Sequence, residues 1–141
     1  MKICLNMASM RWQNWPALRE NYERAFTPGV DLTWQIILYR EEFAALPEHA
    51  LSSVRQPWIN ILVVDPGNDS FPVTDKTNQG LDHLRNSGFV GYTMNASDDN
   101  LMPRSWLRRL KEGDGHPVIV CSHKRGSGRG ASGHATSDLI A

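Results

Sequence analysis

Apolar positions along the chain change spacing from strand-like to helix-like and back. Residues 3–7 form a short mixed run suited to a first strand. Trp15, Leu18, Tyr22, Ala25 and Phe26 then share one face of a helix that Asn14 can cap and that Pro28 and Gly29 end. Residues 33–39, TWQIILY, read as a second strand. Pro47 suits the first turn of another helix that runs through Leu51 and Val54, with Phe43 and Leu46 packed just ahead of it. Gln56 and Pro57 interrupt that pattern before residues 58–64, WINILVV, the clearest strand in the chain. Its near-continuous apolar character predicts burial on both faces, as in a parallel sheet.

Residues 65–75 are rich in Pro, Gly, Asn and Asp and read as loop. A short helix is predicted over 80–86 and a strand over 89–94. Pro103 opens a helix that carries Trp106, Leu107 and Leu110, and His116 and Pro117 lead into a last strand over 118–121. Strands separated by helical segments imply crossover units, hence an α/β fold with an open, mostly parallel sheet and flanking helices. The stretch 124–141 contains RGSGRGASGHATSD, small, polar and without periodicity, which predicts a disordered tail behind a domain over 1–123.

Composition narrows the function classes. A chain of 141 residues fits one domain with a sizeable core. Fifteen lysines and arginines balance fifteen aspartates and glutamates, which argues against a broad nucleic-acid footprint. No apolar run approaches the length of a membrane span, and the first ten residues lack the apolar stretch of a signal peptide, so a cytoplasmic protein is expected. Cys4 and Cys121 both lie within apolar runs and read as free buried thiols. The five histidines have no ligand spacing, and Gly128, Gly130 and Gly133 match a dinucleotide glycine pattern with too little chain behind them to build its helix.

In an open parallel sheet, ligands lie beyond the carboxyl ends of the strands. Asp65 directly follows the best strand, where its carboxylate can meet a base or ribose or make a local turn bond. Asp98 and Asp99 follow the next strand. Adjacent carboxylates repel, and a hard cation carrying a diphosphate relieves that repulsion; helix capping ahead of Pro103 is the alternative. Asn78, Gly80 and Arg85 offer a glycine at a helix start, where phosphate can approach, with an arginine one turn later; an ordinary solvated helix is the alternative.

Taken in order, INILVVDPGNDS, TNQGLDHLRNSG and GYTMNASDDNLMP resemble the family-two glycosyltransferases of GT-A fold. The first looks like that family's strand and nucleoside-contacting aspartate, the second like its following helix, and the third like its acidic metal-binding motif. The resemblance implies a Rossmann-like, hexosyltransferase-type domain. In it Asp65 contacts the base, Arg85 meets the diphosphate within a segment that includes Asn78 and Gly80, and Ser9 lines the nucleoside pocket. Asp98 and Asp99 hold Mn²⁺ or Mg²⁺. Two departures stand out: Pro66 replaces a second aspartate, and Asn95-Ala96-Ser97 replaces an aspartate-led start to the acidic motif.

The implied ligand is a nucleoside-diphosphate sugar, with an unknown acceptor and no membrane span. An acceptor pocket and general base are expected outside this chain, which a homo-oligomer, a partner chain or a small acceptor site would have to complete. A non-catalytic nucleotide-binding module, or a small oligomeric interaction domain with a degenerate site, are the competing expectations.

Overall fold

The computed structural model describes residues 1–124 and 134–140. Six strands form one sheet: β1 (Lys2–Ala8), β2 (Asp31–Tyr39), β3 (Ile59–Val64), β4 (Tyr92–Asn95), β5 (Val118–Lys124) and β6 (His134–Ile140). The helices are α1 (Trp15–Arg24), α2 (Arg40–Ala44), α3 (Glu48–Ser53), α4 (Pro72–Asn86) and α5 (Trp106–Glu112). A short 3-10 turn, Trp12–Asn14, leads into α1.

The strand order is β3-β2-β1-β4-β6-β5. The first four are parallel, with Leu5 opposite Trp34 on β2 and Met94 on β4. The chain steps outward from β1 to β2 to β3, then crosses back to place β4 on the other side of β1. Right-handed crossovers therefore put α1 and α3, from the outward steps, on one face and α4, on the return, on the opposite face. The burial pattern agrees. Ile3, Leu5 and Met7 join Trp34, Ile36 and Leu38 in a core completed by Trp15, Leu18 and Tyr22 of α1, Ala50 of α3 and Trp106, Leu107 and Leu110 of α5. The side chains that alternate with these, Asn6, Gln35 and Ile37, meet α4 instead.

Several expectations change. The WINILVV strand does form, but of β3 only Ile59 is fully buried, because β3 lies at the margin of the sheet with β2 as its single neighbour. The strands buried along most of their length are β1 and β2, which have neighbours on both sides. The helix expected over 80–86 starts at Pro72, so residues 72–75 at the end of the expected 65–75 loop are helical. Proline at the helix start was the signal for this. An extra short helix, α2, directly follows β2.

Within the stretch expected as a tail, His134–Ile140 forms β6, inserted antiparallel between β4 and β5. Main-chain pairing with β5 runs from Lys124↔His134 to Val118↔Ile140. The glycine pattern within 125–133 lies outside the described residues. Among the described residues, no helix is long and apolar enough to cross a membrane.

Candidate functional site at the carboxyl edge

The strand order reverses between β1 and β4, and in open α/β sheets a crevice opens outside the carboxyl ends of the strands at such a point. The loop after β1 (Ser9, Met10, Arg11) and the loop after β4 (96–105) meet there. Asp98 joins them. Its Oδ2 accepts from the Met10 and Arg11 backbone amides, both at 2.7 Å, and from Ser9 Oγ at 3.1 Å. Its Oδ1 accepts from Arg11 Nη1 at 3.0 Å. Burial alone would push this carboxyl up, but the two amides, the Ser9 hydroxyl and the Arg11 guanidinium outweigh it and hold Asp98 below the usual carboxylate range.

The same loops are pinned to α1. Trp15 Nε1 donates to Ser9 Oγ at 2.8 Å, and Asn14 Nδ2 donates to the Asp98 carbonyl at 2.8 Å. Asn21 holds Met102 through both its amide donor and its carbonyl, each at 2.8 Å. Asn14 was expected to cap α1 and makes no side-chain cap bond; it reaches across to the acidic loop instead.

Ser9 and Asp98, two of the expected ligand-binding residues, are thus brought together, and both are buried in internal hydrogen bonds. Asp99 differs. Its side chain is about half exposed, accepts from Ser97 Oγ, and lies 3.6 Å from Arg11 Nη1. Asp65 sits where expected, at the end of β3, with an exposed carboxylate 3.1 Å from Arg40 Nε.

The expected phosphate segment is corrected. Gly80 lies in the middle of α4, not at a helix start, and faces the sheet: a Cβ there would stand 2.3 Å from Asn6 Oδ1 and 2.8 Å from Ile37 Cδ1. Glycine is required because the helix comes that close to β1 and β2. Arg85 is in the last turn of α4, paired with Asp82. Thirteen residues beyond the start of α4 amounts to about 20 Å of helix, which carries Arg85 toward the amino edge of the sheet and away from the crevice. Asn78 is exposed on the same helix.

Sequence reasoning missed a second buried network beside the first. Lys76 of α4 is fully buried; its Nζ lies 2.7 and 2.9 Å from the two Glu42 carboxylate oxygens and donates to the Ser9 carbonyl at 3.1 Å. It also sits 4.8 Å from the centre of the Tyr39 ring. Glu42 accepts from the Tyr39 backbone amide at 2.7 Å. Asp75 accepts from Tyr39 Oη at 2.6 Å, from the Gly67 amide at 3.0 Å and from Gln79 Nε2 at 3.1 Å. The Tyr39 hydroxyl, then the Gly67 amide, hold Asp75 below the usual carboxylate range despite its burial. Burial, then the bond to Asp75, push the Tyr39 phenol up to about 12. The available signal was the four-residue step Lys76, Gly80, Leu84, one buried stripe of α4 whose first member is a lysine.

Beneath this edge the sheet face under α4 is polar: Gln35 Nε2 donates to Asn6 Oδ1 and the Gly80 carbonyl, and Asn6 Nδ2 to the Thr77 carbonyl and Asn95 Oδ1. Cys4 is buried, and that burial pushes its thiol up to about 12, which leaves it unreactive. A depression of about 490 Å³ lined by Phe26, Val30, Leu32 and Trp58 lies at the start of β2, at the opposite end of the sheet from the crevice.

The resemblance calls for Mg²⁺ or Mn²⁺ between Asp98 and Asp99, and the side chains as arranged do not fit one. Asp98 Oδ2 already has three donors, and the Arg11 guanidinium stands between the two carboxylates, on the side where an ion would be ligated by both. Among the described residues no group of three or more His, Cys, Asp or Glu side chains gathers in a way that could hold a metal.

These features define an α/β, Rossmann-like domain with a polar, cross-linked crevice at its topological switch point. No family model and no curated protein matches the chain. Among solved structures, the crystal structure of 4-diphosphocytidyl-2C-methyl-D-erythritol synthase is similar, with a TM-score of 0.60 at 14% sequence identity over 99% of this chain and 74% of that one. The likeness shows a shared α/β, Rossmann-like fold, and it does not single out the family-two glycosyltransferases.

Proposed function

We propose that this chain is a nucleotide-binding, transferase-like domain that takes a nucleoside-diphosphate sugar in the crevice between β1 and β4. One observation carries this reading: the loops after β1 and β4 are locked together by Asp98 at the switch point, and Arg11 and Asp99 are left about half exposed on the resulting platform. A rigid platform with an accessible cation suits a diphosphate, whose oxygens accept charge-assisted hydrogen bonds from arginine. Asp65, exposed on the same edge at the end of β3, is the group for the base or ribose in this reading. Glycosyl transfer to an acceptor is its finer form. That form requires an acceptor pocket and a base within hydrogen-bond reach of the acceptor hydroxyl.

Calorimetric titration with UDP, CDP, GDP and ADP tests the proposal. Saturable binding of at least one is expected, unchanged in Arg85→Ala because Arg85 lies toward the far end of α4. A folded protein that binds none of the four would sink it. Hydrolysis of the matching nucleotide sugar would then separate a transferase from a module that only binds.

A further inference from the structure

Resting on that reading of the crevice, we infer that Arg11 takes the place of the divalent ion: the diphosphate is bound by its guanidinium, without metal. The argument starts from charge. Two adjacent carboxylates at the mouth of a crevice need a compensating cation, and here the chain supplies its own, with Arg11 Nη1 3.0 Å from Asp98 and 3.6 Å from Asp99. The buried partner, Asp98, also receives the Arg11 backbone amide, so one carboxylate fixes both the main chain and the side chain of Arg11. Arginine held in this way is oriented before any ligand arrives, which reduces the entropy lost on binding.

The rest of the guanidinium is accessible. The side chain is 57% exposed, and its Nε and Nη2 make no hydrogen bond among the described residues. A planar donor group with nitrogens to spare matches the paired oxygens of a phosphate. A divalent ion at this place would have to displace Arg11 from both carboxylates and compete with three donors for Asp98 Oδ2. Asp99 has the opposite effect on an incoming anion. It is about half exposed, and its charge repels phosphate unless a metal is bound to it.

The two arrangements make opposite predictions for Asp99→Asn. If Asp99 is a metal ligand, the substitution weakens nucleotide binding. If Arg11 is the cation, removing the carboxylate tightens it. The experiment titrates the nucleoside diphosphate selected above into the wild-type protein with EDTA and with excess Mn²⁺, then into Arg11→Ala, Arg11→Lys and Asp99→Asn with EDTA. The expected result has several parts: affinity within about twofold with and without Mn²⁺, roughly tenfold or greater weakening in Arg11→Ala, partial retention in Arg11→Lys, and tighter binding in Asp99→Asn. The wild-type comparison needs no variant to fold, and Arg11→Ala keeps the backbone amide on Asp98. Binding that requires Mn²⁺ and is lost in Asp99→Asn would overturn the inference and leave the nucleotide site standing. Absence of binding under both conditions overturns the nucleotide site itself, and the role of Arg11 with it.

Discussion

Asp98 shows how a residue chosen for ligand chemistry can be committed to the fold. All four hydrogen bonds to its carboxylate come from the segment after β1, so its charge holds the two central loops together. In Asp98→Asn, an amide group would face donors that now meet carboxylate oxygens. We expect about 2–4 kcal/mol of destabilisation, read from the urea midpoint, because buried amides lose a charged acceptor. The pH dependence follows from the lowered carboxyl. A group whose folded value lies below its unfolded one contributes stability above about pH 4, and that contribution is lost as pH falls through the folded value. Wild-type stability should therefore fall on acidification below about pH 4, more steeply than that of Asp98→Asn. Equal slopes in the two proteins would show that Asp98 is not held as described. Asp75, also lowered, contributes to the wild-type slope in the same direction, and it remains in the variant.

At the scale of elements, α4 is attached to the sheet by polar contacts of residues 75–80, where α1 and α5 use apolar ones. Asn6 and Gln35 hold its middle, and Lys76 with Glu42 ties its first turns to α2. The two ends of that ion pair differ: the Lys76 side chain is fully buried, while that of Glu42 is 32% exposed. Glu42→Gln leaves a buried ammonium without its carboxylate and should cost about 3–5 kcal/mol. Lys76→Met removes the buried charge and leaves a glutamate that water can reach, so its cost should be clearly smaller. Chemical denaturation of the two variants measures the order, and a larger loss in Lys76→Met would contradict this account of the pair. Helix α4 was legible only in its second half. The Leu81–Leu84 region reads as helix, but residues 72–75 fall in a stretch that looks like loop by composition, and Asp75 and Lys76 tie these first turns to Tyr39 and Glu42.

For the whole molecule, the described sheet divides into a parallel set, β3-β2-β1-β4, and an antiparallel pair, β6-β5, added at the β4 edge. In that sheet β5 pairs with β6, which in turn pairs with β4, so β6 is the connection between β5 and the rest. Deleting residues 134–141 should therefore strip protection from the backbone amides of 118–124 while β1 and β2, paired on both sides, keep theirs. Hydrogen exchange read residue by residue decides this. Unchanged protection across β5 would mean that β6 does not hold it. The platform at the switch point lies on the parallel side, so nucleotide binding by the shortened chain is a second readout of how independent the two parts are.

The alternation of strand-like and helix-like spacing was enough to establish an α/β sheet, the position of each parallel strand and the carboxyl edge as the place to look. These are local properties, set by how a chain repeats every two or every three to four residues. Asp65, Asp98 and Asp99 were legible for the same reason, since each follows a strand. Their roles were not, because a carboxylate's function depends on what surrounds it. Only folding brings Ser9, Arg11 and Trp15 against Asp98, buries Lys76 beside Glu42, and turns Gly80 into the point where α4 approaches the sheet. The same holds for β6, which pairs with β4 and β5, and for the place of Arg85, which the length of α4 carries toward the amino edge of the sheet. Local pattern determined which elements exist. Contacts between residues far apart in sequence decided which of the charged side chains are structural and which face the crevice.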